Sequence, residues 1–133
     1  MEVISNINLY HSGEKVALAL GNFDGVHRGH IAVIQKCVSA AFENKIKSAV
    51  YTFKENTKSI LNSVELITSY EKRNEIIGKY GIDKLFEDDF DNVRELDCEE
   101  FVDFIINKLN AQIVICGYNF HFGKDARGNA GLL

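Results

Sequence analysis

The sequence predicts an α/β fold, in which a parallel sheet carries helices on both faces. Short apolar stretches typical of buried strands alternate along the chain with longer amphipathic stretches typical of helices. The apolar stretches are nearly continuous, which indicates strands that are covered on both sides, as parallel strands usually are. At 133 residues, the chain has the length of one domain and is long enough to bury a core.

The first half of the chain supplies two predicted strands and the helix between them. Val16–Leu20 is an uninterrupted apolar run and is predicted as the first strand. The stretch from Gly29 to about Asn44 is amphipathic and is predicted as the first helix. Ser48–Phe53 alternates and is rich in β-forming residues, so it is predicted as the second strand.

A second helix is predicted from its end signals. Thr68 and Glu71 have the spacing of a capping box, which predicts a helix that begins there and runs through Tyr80. Gly81 follows as a C-cap, because glycine readily adopts the left-handed backbone conformation that often ends a helix.

The last part of the chain contains two further predicted strands and one helix. Asp83–Phe86 is a short candidate strand, followed by a predicted acidic turn at residues 87–89. A helix is expected to open at Asp97. Its apolar residues recur at helical spacing: Phe101, Phe104, Ile105 and Leu109. Gln112–Cys116 is a continuous apolar run and is predicted as a strand.

Composition and charge narrow the class of protein. A formal net charge of −4 argues against a general binder of nucleic acids or anionic membranes, because such proteins are usually basic. The cysteines, at positions 37, 98 and 116, lack the Cys-x-x-Cys spacing of a zinc site and suggest reduced thiols in a cytoplasmic protein. The N-terminus shows neither a basic region nor a long apolar stretch, so neither a signal peptide nor a membrane-spanning helix is expected.

The segment Gly21–His30 joins the first predicted strand to the first predicted helix. Residues three apart on a first helical turn share a face, so His27 and His30 can address one ligand. The backbone N–H groups there are unpaired and carry the positive end of the helix dipole, which suits a phosphate group. Three glycines let the backbone approach such an anion closely: Gly21, Gly25 and Gly29. The segment therefore predicts a nucleotide site, whereas a pair of capping or packing histidines is the alternative interpretation.

The segment 117–129 follows the last predicted strand and is rich in aromatic residues and glycines. Aromatic side chains in a loop either fill the core or stack on a flat ligand. Because ligands of an open α/β sheet bind outside the carboxyl ends of the strands, the two segments are expected to line a single cleft. Three basic residues are placed to meet a phosphorylated ligand there, or else to lie in solvent: Arg28, Lys124 and Arg127.

Both segments resemble those of one enzyme family. His27-Arg-Gly-His30 after a Gly-x-Phe-Asp turn resembles the His-x-Gly-His motif of the nucleotidyltransferase superfamily. The longer string Gly-Asn-Phe-Asp-Gly-Val-His-Arg-Gly-His resembles the bacterial FAD synthetases (FMN adenylyltransferases). Gly117-Tyr-Asn-Phe-His-Phe-Gly123 resembles the flavin loop of that family, commonly written Gly-x-Asn/Asp-Phe-x-Phe-Gly. The resemblance implies a Rossmann-like fold and the transfer of AMP from ATP to FMN, with release of pyrophosphate and with Mg²⁺ accompanying ATP.

The resemblance also implies roles for individual residues. His27 and His30 would be catalytic, donating hydrogen bonds to the triphosphate and to the charge that develops on it. The nucleotide site would be formed by Gly21, Asn22, Phe23, Asp24, Gly25, Gly29 and Asn119. The flavin site would be formed by Asn56, Asn119, Phe122, Gly123, Lys124 and Arg127. From their residue types alone, Asn22 and Asp24 can also be turn formers, and Phe23 a core or wall residue. No metal ligands are identified.

Two departures from the family pattern bear on the activity. The family usually has Phe-x-Pro-His-Pro after the second strand, where this chain has Phe53-Lys-Glu-Asn-Thr57 and contains no proline. The family continues to a Ser-Ser-Thr-x-x-Arg signature and usually to a riboflavin kinase domain, and neither is present here. Residues 1–133 are therefore expected to be a C-terminally incomplete adenylyltransferase domain, with a covalently linked riboflavin kinase domain as a candidate partner in the parent protein.

Two alternatives remain open at this point. One is another enzyme of the same superfamily with a different acceptor, such as a cytidylyltransferase or a pantetheine-phosphate adenylyltransferase. The other is a protein that binds nucleotide or flavin without turnover, which the lost Pro-His-Pro and the missing signature favour. Product analysis with different acceptors tests the first alternative, and pyrophosphate release tests the second.

Overall fold

The structure is a computed structural model that describes residues 1–21, 23, 28–54, 63–117, 121–122 and 128–129, with the backbone alone for 63–70, 90, 121–122 and 128–129. The main sheet consists of β1 (Glu2–Ile4), β2 (Val16–Leu20), β3 (Lys47–Phe53), β4 (Lys84–Asp88) and β5 (Ala111–Cys116). Every neighbouring pair is parallel, and the strands lie in the order β1-β4-β3-β2-β5. The predicted parallel sheet is confirmed.

The helices that the structure describes are α1 (Arg28–Asn44), α2 (Ser63–Lys79) and α3 (Cys98–Asp103), which continues as a π-helical turn over Phe104–Lys108. Short 3₁₀ turns lie at Ile7–Leu9 and Phe90–Asn92. α3 begins with a capping box. The Asp97 carboxylate accepts from the Glu100 N–H at 2.8 Å, and the Glu100 carboxylate accepts from the Asp97 N–H at 3.3 Å. The helix predicted to open at Asp97 is confirmed.

The face of the sheet toward α1 and α2 is built from small and medium-sized side chains. Ala17 and Ala19 of β2 are 0% exposed on this face, and their small size lets α1 lie close to the sheet. The Cys37 thiol of α1 lies in the same layer and donates to the carbonyl oxygen of Ala17 at 3.2 Å. Ile34 of α1 and Ile77 of α2 are buried against the same face.

The opposite face carries larger side chains, which pack under α3. This buried layer includes Leu18, Leu20, Tyr51, Phe86, Phe101, Ile105 and Leu109. The rings of Tyr51 and Phe101 meet edge-on, with their centroids 6.2 Å apart. Because a buried cluster lies on each face of the sheet, each beneath at least one helix, the prediction of helices on both faces is confirmed.

The winding of the chain reverses between β2 and β5. From β2 the chain proceeds through α1 to β3 and through α2 to β4, moving steadily away from β2. It then returns through α3 to β5, which lies on the other side of β2. In open α/β sheets, ligands bind outside the carboxyl ends of the strands at such a reversal. The edge where β2 and β5 end is therefore the candidate site.

Other local predictions are confirmed along the chain. The predicted strands at 16–20, 48–53 and 112–116 are present, and so is the first helix. Gly81 follows α2 with a φ of +94°, the left-handed conformation expected of a C-cap glycine. None of the helices in the described part of the chain has the length and apolar character needed to cross a bilayer.

Three local predictions differ from the structure. The helix expected to begin at Thr68 begins at Ser63, because helical backbone continues upstream of the capping-box pattern. β4 extends to Asp88, so Glu87 and Asp88 lie in a strand rather than in an acidic turn. The edge strand β1 is not among the predicted elements; its short sequence contains too few residues to show a period.

Candidate active site

The two glycine-rich segments of the sequence leave the sheet side by side. In the β2–β5 pair, Leu20 is the Cα partner of Cys116, and each is the last residue of its strand. Gly21 and Gly117 therefore follow at neighbouring positions of one sheet edge. The common edge that the sequence predicts for the two segments is confirmed.

The aromatic rings of Phe23, which follows β2, and His30, on the first turn of α1, are in contact. The two rings meet edge-on, with centroids 5.3 Å apart and an interplanar angle of 63°. Phe23 is 1% exposed and has a φ of +57°, a left-handed conformation that costs a non-glycine residue about 1–2 kcal/mol. Burial of a phenylalanine ring contributes about 1.5–3 kcal/mol, which offsets that strain. The core thus fixes Phe23, and the Phe23 ring in turn packs against the His30 ring.

Gly21 is required by the close approach of the Phe23 ring. A Cβ built on Gly21 would lie 3.0 Å from Cε2 and 3.1 Å from Cζ of that ring. Both distances are shorter than the roughly 3.5–4.0 Å of an ordinary carbon contact. The absence of a side chain at Gly21 therefore allows the buried ring to sit beneath the turn.

The N-terminus of α1 presents polar groups at the same edge. Arg28 and Gly29 are exposed and His30 is half-buried on the first turn of this 17-residue helix. The first N–H groups of a helix have no partner within the helix, and the dipole adds positive charge there. This end of α1 can therefore stabilise a phosphate group that approaches the β2 turn.

The carboxyl ends of β3 and β4 are joined by a buried ion pair. Arg73 of α2 lies 3.0 Å from a Glu87 carboxylate oxygen, and the two side chains are 5% and 13% exposed. A second guanidinium nitrogen of Arg73 donates to the carbonyl oxygen of Phe53 at 3.0 Å. Asn74 donates to the same Glu87 oxygen at 3.1 Å. The end of β3 is thus attached to α2 and β4 by charge-assisted hydrogen bonds.

Asp88 forms a second buried polar group at the end of β4. The Tyr51 hydroxyl donates to one carboxylate oxygen of Asp88 at 2.5 Å, and the Asn92 amide donates to the other at 2.9 Å. Burial, and then the hydrogen bond and charge of Asp88, raise the pKa of Tyr51 well above its usual range. Tyr51 therefore stays a neutral donor, and the network holds the turn after β4 in place.

The thiols of Cys37 and Cys116, one buried and one half-buried, are not activated. Desolvation raises the pKa of Cys37 to about 11. Burial also raises the pKa of Cys116, at the end of β5. Neither thiol has the lowered pKa of a nucleophile, so the described part of the site offers no cysteine for covalent catalysis.

The second glycine-rich segment contains a small antiparallel ribbon. β6 (His121–Phe122) pairs with β7 (Gly128–Asn129), with Phe122 opposite Gly128. The sequence predicts a loop here, so these two short strands are an addition to the prediction.

The predicted site residues divide into described and undescribed groups. Among the described ones, Gly21 and Phe23 follow β2, Gly29 and His30 lie on the first turn of α1, and Phe122 is placed by its backbone in β6. The others fall outside the described residues: Asn22, Asp24, Gly25, His27, Asn56, Asn119, Gly123, Lys124 and Arg127. Their roles stay predictions.

The sequence predictions missed the polar side chains that hold β3 and β4 at this edge. Arg73 carries no local signal, because an arginine in a helix is usually solvated. Glu87 and Asp88 offered a weak signal: carboxylates that directly follow the apolar Leu85 and Phe86 can be strand residues with buried partners.

A cavity of about 850 Å³ opens on the α3 side of the sheet. Its lining includes four carboxylates and a lysine: Asp88, Glu99, Glu100, Asp103 and Lys108. No predicted site residue is among the described residues that line it, and an acidic lining does not suit a phosphate. In the described ranges, no group of three or more His, Cys, Asp or Glu side chains is arranged to hold a metal ion.

Comparison with known proteins gives a consistent family. A family model described as FAD synthetase matches residues 10–133. A bifunctional riboflavin kinase/FMN adenylyltransferase of Bacillus subtilis is 34% identical over 119 residues, covering 86% of this chain and 38% of that protein. A protein of the same name from Listeria monocytogenes is 33% identical over 116 residues, covering 84% and 37%. A FAD synthetase of L. monocytogenes is 31% identical over 121 residues, covering 87% and 49%. The chain thus spans less than half the length of these curated relatives.

A solved structure shares the fold. A crystal structure described as a macrolide-efflux protein from Streptococcus pneumoniae matches with a TM-score of 0.79 and 26% identity, covering 96% of this chain and 45% of that one. The word efflux refers to that protein and is not carried over to this chain. The likeness supports the α/β architecture described above.

Proposed function

Since the chain belongs to the FAD synthetase family, we propose that it forms an adenylyltransferase domain that transfers AMP from ATP to FMN. A phosphate oxygen of FMN attacks the α-phosphorus of ATP, and the bond to the pyrophosphate leaving group breaks, which yields FAD and pyrophosphate. The protein needs no nucleophile of its own for this reaction. Catalysis comes from holding two phosphate groups in line and from stabilising the charge that develops on them.

The observation that carries this proposal is the pairing of Leu20 with Cys116 at the ends of β2 and β5. It starts the segments 21–30 and 117–129 from one sheet edge, at the reversal of the winding. ATP would then be met by the β2 turn and the N-terminus of α1. The flavin would be met by the aromatic second segment. His30, half-buried on the first turn of α1, would donate to the triphosphate, together with His27.

Mg²⁺ enters the proposal bound to ATP, with triphosphate oxygens as its main ligands. Mg²⁺ would neutralise part of the triphosphate charge, which matters in a chain whose net charge is −4.

The proposal also names a partner and a setting. The relatives from L. monocytogenes and B. subtilis are named bifunctional riboflavin kinase/FMN adenylyltransferases, so their names combine the two activities. We therefore propose a covalently linked riboflavin kinase domain in the parent protein as a partner. The net charge of −4 favours neither a nucleic acid nor an anionic membrane as a further one. The free cysteines at positions 37, 98 and 116 favour a cytoplasmic location.

A second candidate function is binding of nucleotide or flavin without turnover. The observation that favours it is the sequence after β3, where Lys-Glu-Asn-Thr follows Phe53 in place of the usual x-Pro-His-Pro. Asn56 can form hydrogen bonds but cannot become a cation, and the sequence there has no proline to fix the backbone angles.

Pyrophosphate release and FAD formation from ATP, Mg²⁺ and FMN test the two candidates together. We expect FAD in the wild type, and a loss of about 10²–10³ in rate for His30→Ala, the usual effect of removing one preorganised donor. His11→Ala is the matched control, because His11 is exposed in the loop before β2. Saturable quenching of FMN fluorescence without pyrophosphate release would instead establish the binding protein. If the protein shows no turnover and no binding of FMN, both candidate functions are contradicted.

A further inference from the structure

β3 extends beyond the end of β2 at the edge of the candidate site. Leu20, the last residue of β2, is the partner of Tyr51, whereas β3 continues to Phe53. The N–H of Gly21 still donates to the carbonyl oxygen of Tyr51, at 3.3 Å. Alternate carbonyl groups of a strand point to the same side, so the Phe53 carbonyl points to the side where β2 has already ended. This partly buried carbonyl is therefore placed to accept a hydrogen bond from another element.

Arg73 of α2 supplies this donor and is itself held in place. One terminal nitrogen donates to the Phe53 carbonyl oxygen at 3.0 Å, and the other lies 3.0 Å from the Glu87 carboxylate. The Nε–H donates to the Asn74 side-chain oxygen at 3.3 Å. Asn74 in turn donates to the Glu87 oxygen that pairs with Arg73. The orientation of the guanidinium plane is therefore set by α2 and β4 together.

Burial makes this contact selective for arginine. Arg73 is 5% exposed, so its charge depends on the groups that surround it. The planar guanidinium contacts two separate acceptors with its two terminal nitrogens, which the single ammonium group of lysine cannot reproduce. The position of the Phe53 carbonyl thus depends on the forked shape of the guanidinium group, whose two terminal nitrogens reach Phe53 and Glu87, as well as on its charge.

We propose that Arg73 is a positioning residue for the transfer site: it fixes the carboxyl end of β3 beside the β2 turn, so that the residues after Lys54 start from a set point and direction. Lys54 is the last described residue before that stretch, and its N–H donates to the Asp88 carbonyl oxygen at 2.8 Å. Asn56, predicted to contact the flavin, follows Lys54 closely. The inference rests on the proposed function, and Arg73 touches no substrate in it.

The test compares Arg73→Lys with a control at the other end of the same strand. Lysine retains a charge for Glu87 but lacks the fork that holds Phe53. Asp83→Ala removes the carboxylate that accepts the Ser48 N–H at 3.0 Å, near the start of β3. Each variant removes one hydrogen bond to a part-buried backbone group of β3, so both are expected to lower Tm. Only the first is expected to alter the end that faces the site.

One readout is independent of activity: amide hydrogen exchange of Lys54, measured by NMR. Arg73→Lys is expected to accelerate this exchange about tenfold or more relative to Asp83→Ala, because a hydrogen bond to a charged group is lost near it. Equal exchange of Lys54 in the two variants would show that Arg73 does not hold this end of β3. Asn74→Ala removes one support of the guanidinium and provides the milder variant if Arg73→Lys does not fold; the same direction of change is expected.

The second readout separates positioning from a purely structural role. We expect Arg73→Lys to raise KM for FMN about tenfold with little change in kcat, and Asp83→Ala to leave both constants at the wild-type values. Equal KM values in the two variants would overturn the proposal even if Lys54 exchange differs. If the wild type binds FMN but makes no FAD, the turnover proposal fails and the Kd for FMN replaces KM. An unchanged Kd in Arg73→Lys then overturns the positioning role, and no FMN binding in the wild type overturns both.

Discussion

Replacing Gly21 with alanine is expected to disturb the candidate site through a single ring contact. The new Cβ would lie 3.0 Å from Cε2 of Phe23, about half an ångström closer than ordinary carbon packing allows. Phe23 is 1% exposed, so its ring has no open space into which to move freely. The ring lies 5.3 Å from that of His30, and the displacement therefore passes to the histidine.

Two magnitudes follow from this overlap. Overpacking of a well-packed core costs about 1–3 kcal/mol. With an entropy of unfolding of about 2.1 cal/mol/K per residue, this chain of 133 residues loses about 3.6 °C of Tm for each kcal/mol. Gly21→Ala is therefore expected to melt about 4–11 °C below the wild type. Because a misplacement of about 1 Å can cost 10²-fold in rate, FAD formation is expected to fall about tenfold.

Thermal unfolding followed by circular dichroism measures the first effect, and the NMR resonances of the His30 ring measure the movement directly. Gly13→Ala is the matched control, because a Cβ on Gly13 meets nothing within 4 Å. The control is expected to keep the wild-type His30 resonances. The reasoning is refuted if the two variants melt at the same temperature and their His30 resonances coincide.

Three further predictions concern stability. Tyr51→Phe removes the hydroxyl that donates to Asp88 at 2.5 Å, and urea unfolding is expected to show a loss of about 1.5–3 kcal/mol; an unchanged midpoint would contradict the importance of this bond. Burial raises the pKa of Cys37 from 9.0 to about 11, so the folded state holds more protons in that interval and stability falls as the pH rises through it, by roughly 2–3 kcal/mol. Melts of Cys37→Ala over the same pH interval should lack this component of the loss. Lys45 is exposed with a φ of +57°, so Lys45→Gly is expected to raise Tm by about 4–7 °C, and a lower Tm would argue against backbone strain there.

The central strands are predictable because their burial is recorded in their own residues. Val16–Leu20 of β2, which has a neighbouring strand on each side, is apolar and buried throughout. β5 lies beside it at the edge of the sheet, and its residues Ile113–Cys116 form a shorter apolar run. β4 shows where such reasoning ends. Glu87 and Asp88 favour a turn when only their neighbours are considered. They lie in a strand because Arg73 and Tyr51, which are distant in sequence, satisfy their carboxylates.

The position of the candidate site at the sheet edge is predictable to a similar degree. Glycines and histidines at a strand-to-helix junction indicate a phosphate site from local chemistry, and the edge they share with the second segment follows from sheet topology. The conformation of Phe23 is different. Phenylalanine rarely adopts a positive φ, and only the surrounding core sustains it, so no local pattern announces it. The start of α2 is also not fixed by a local pattern. The helix begins at Ser63 instead of Thr68, because a short capping pattern can also occur inside a helix.

The alanines of β2 set the distance between α1 and the sheet. Ala17 and Ala19 are 0% exposed beneath this helix, so any larger side chain there would have to lift α1 as a unit. His30 belongs to the same rigid helix and would rise with it, away from the β2 turn. Mutant libraries aimed at a new acceptor should therefore leave both alanines unchanged. Although their methyl groups take no part in the reaction, they set the distance between His30 and the turn after β2.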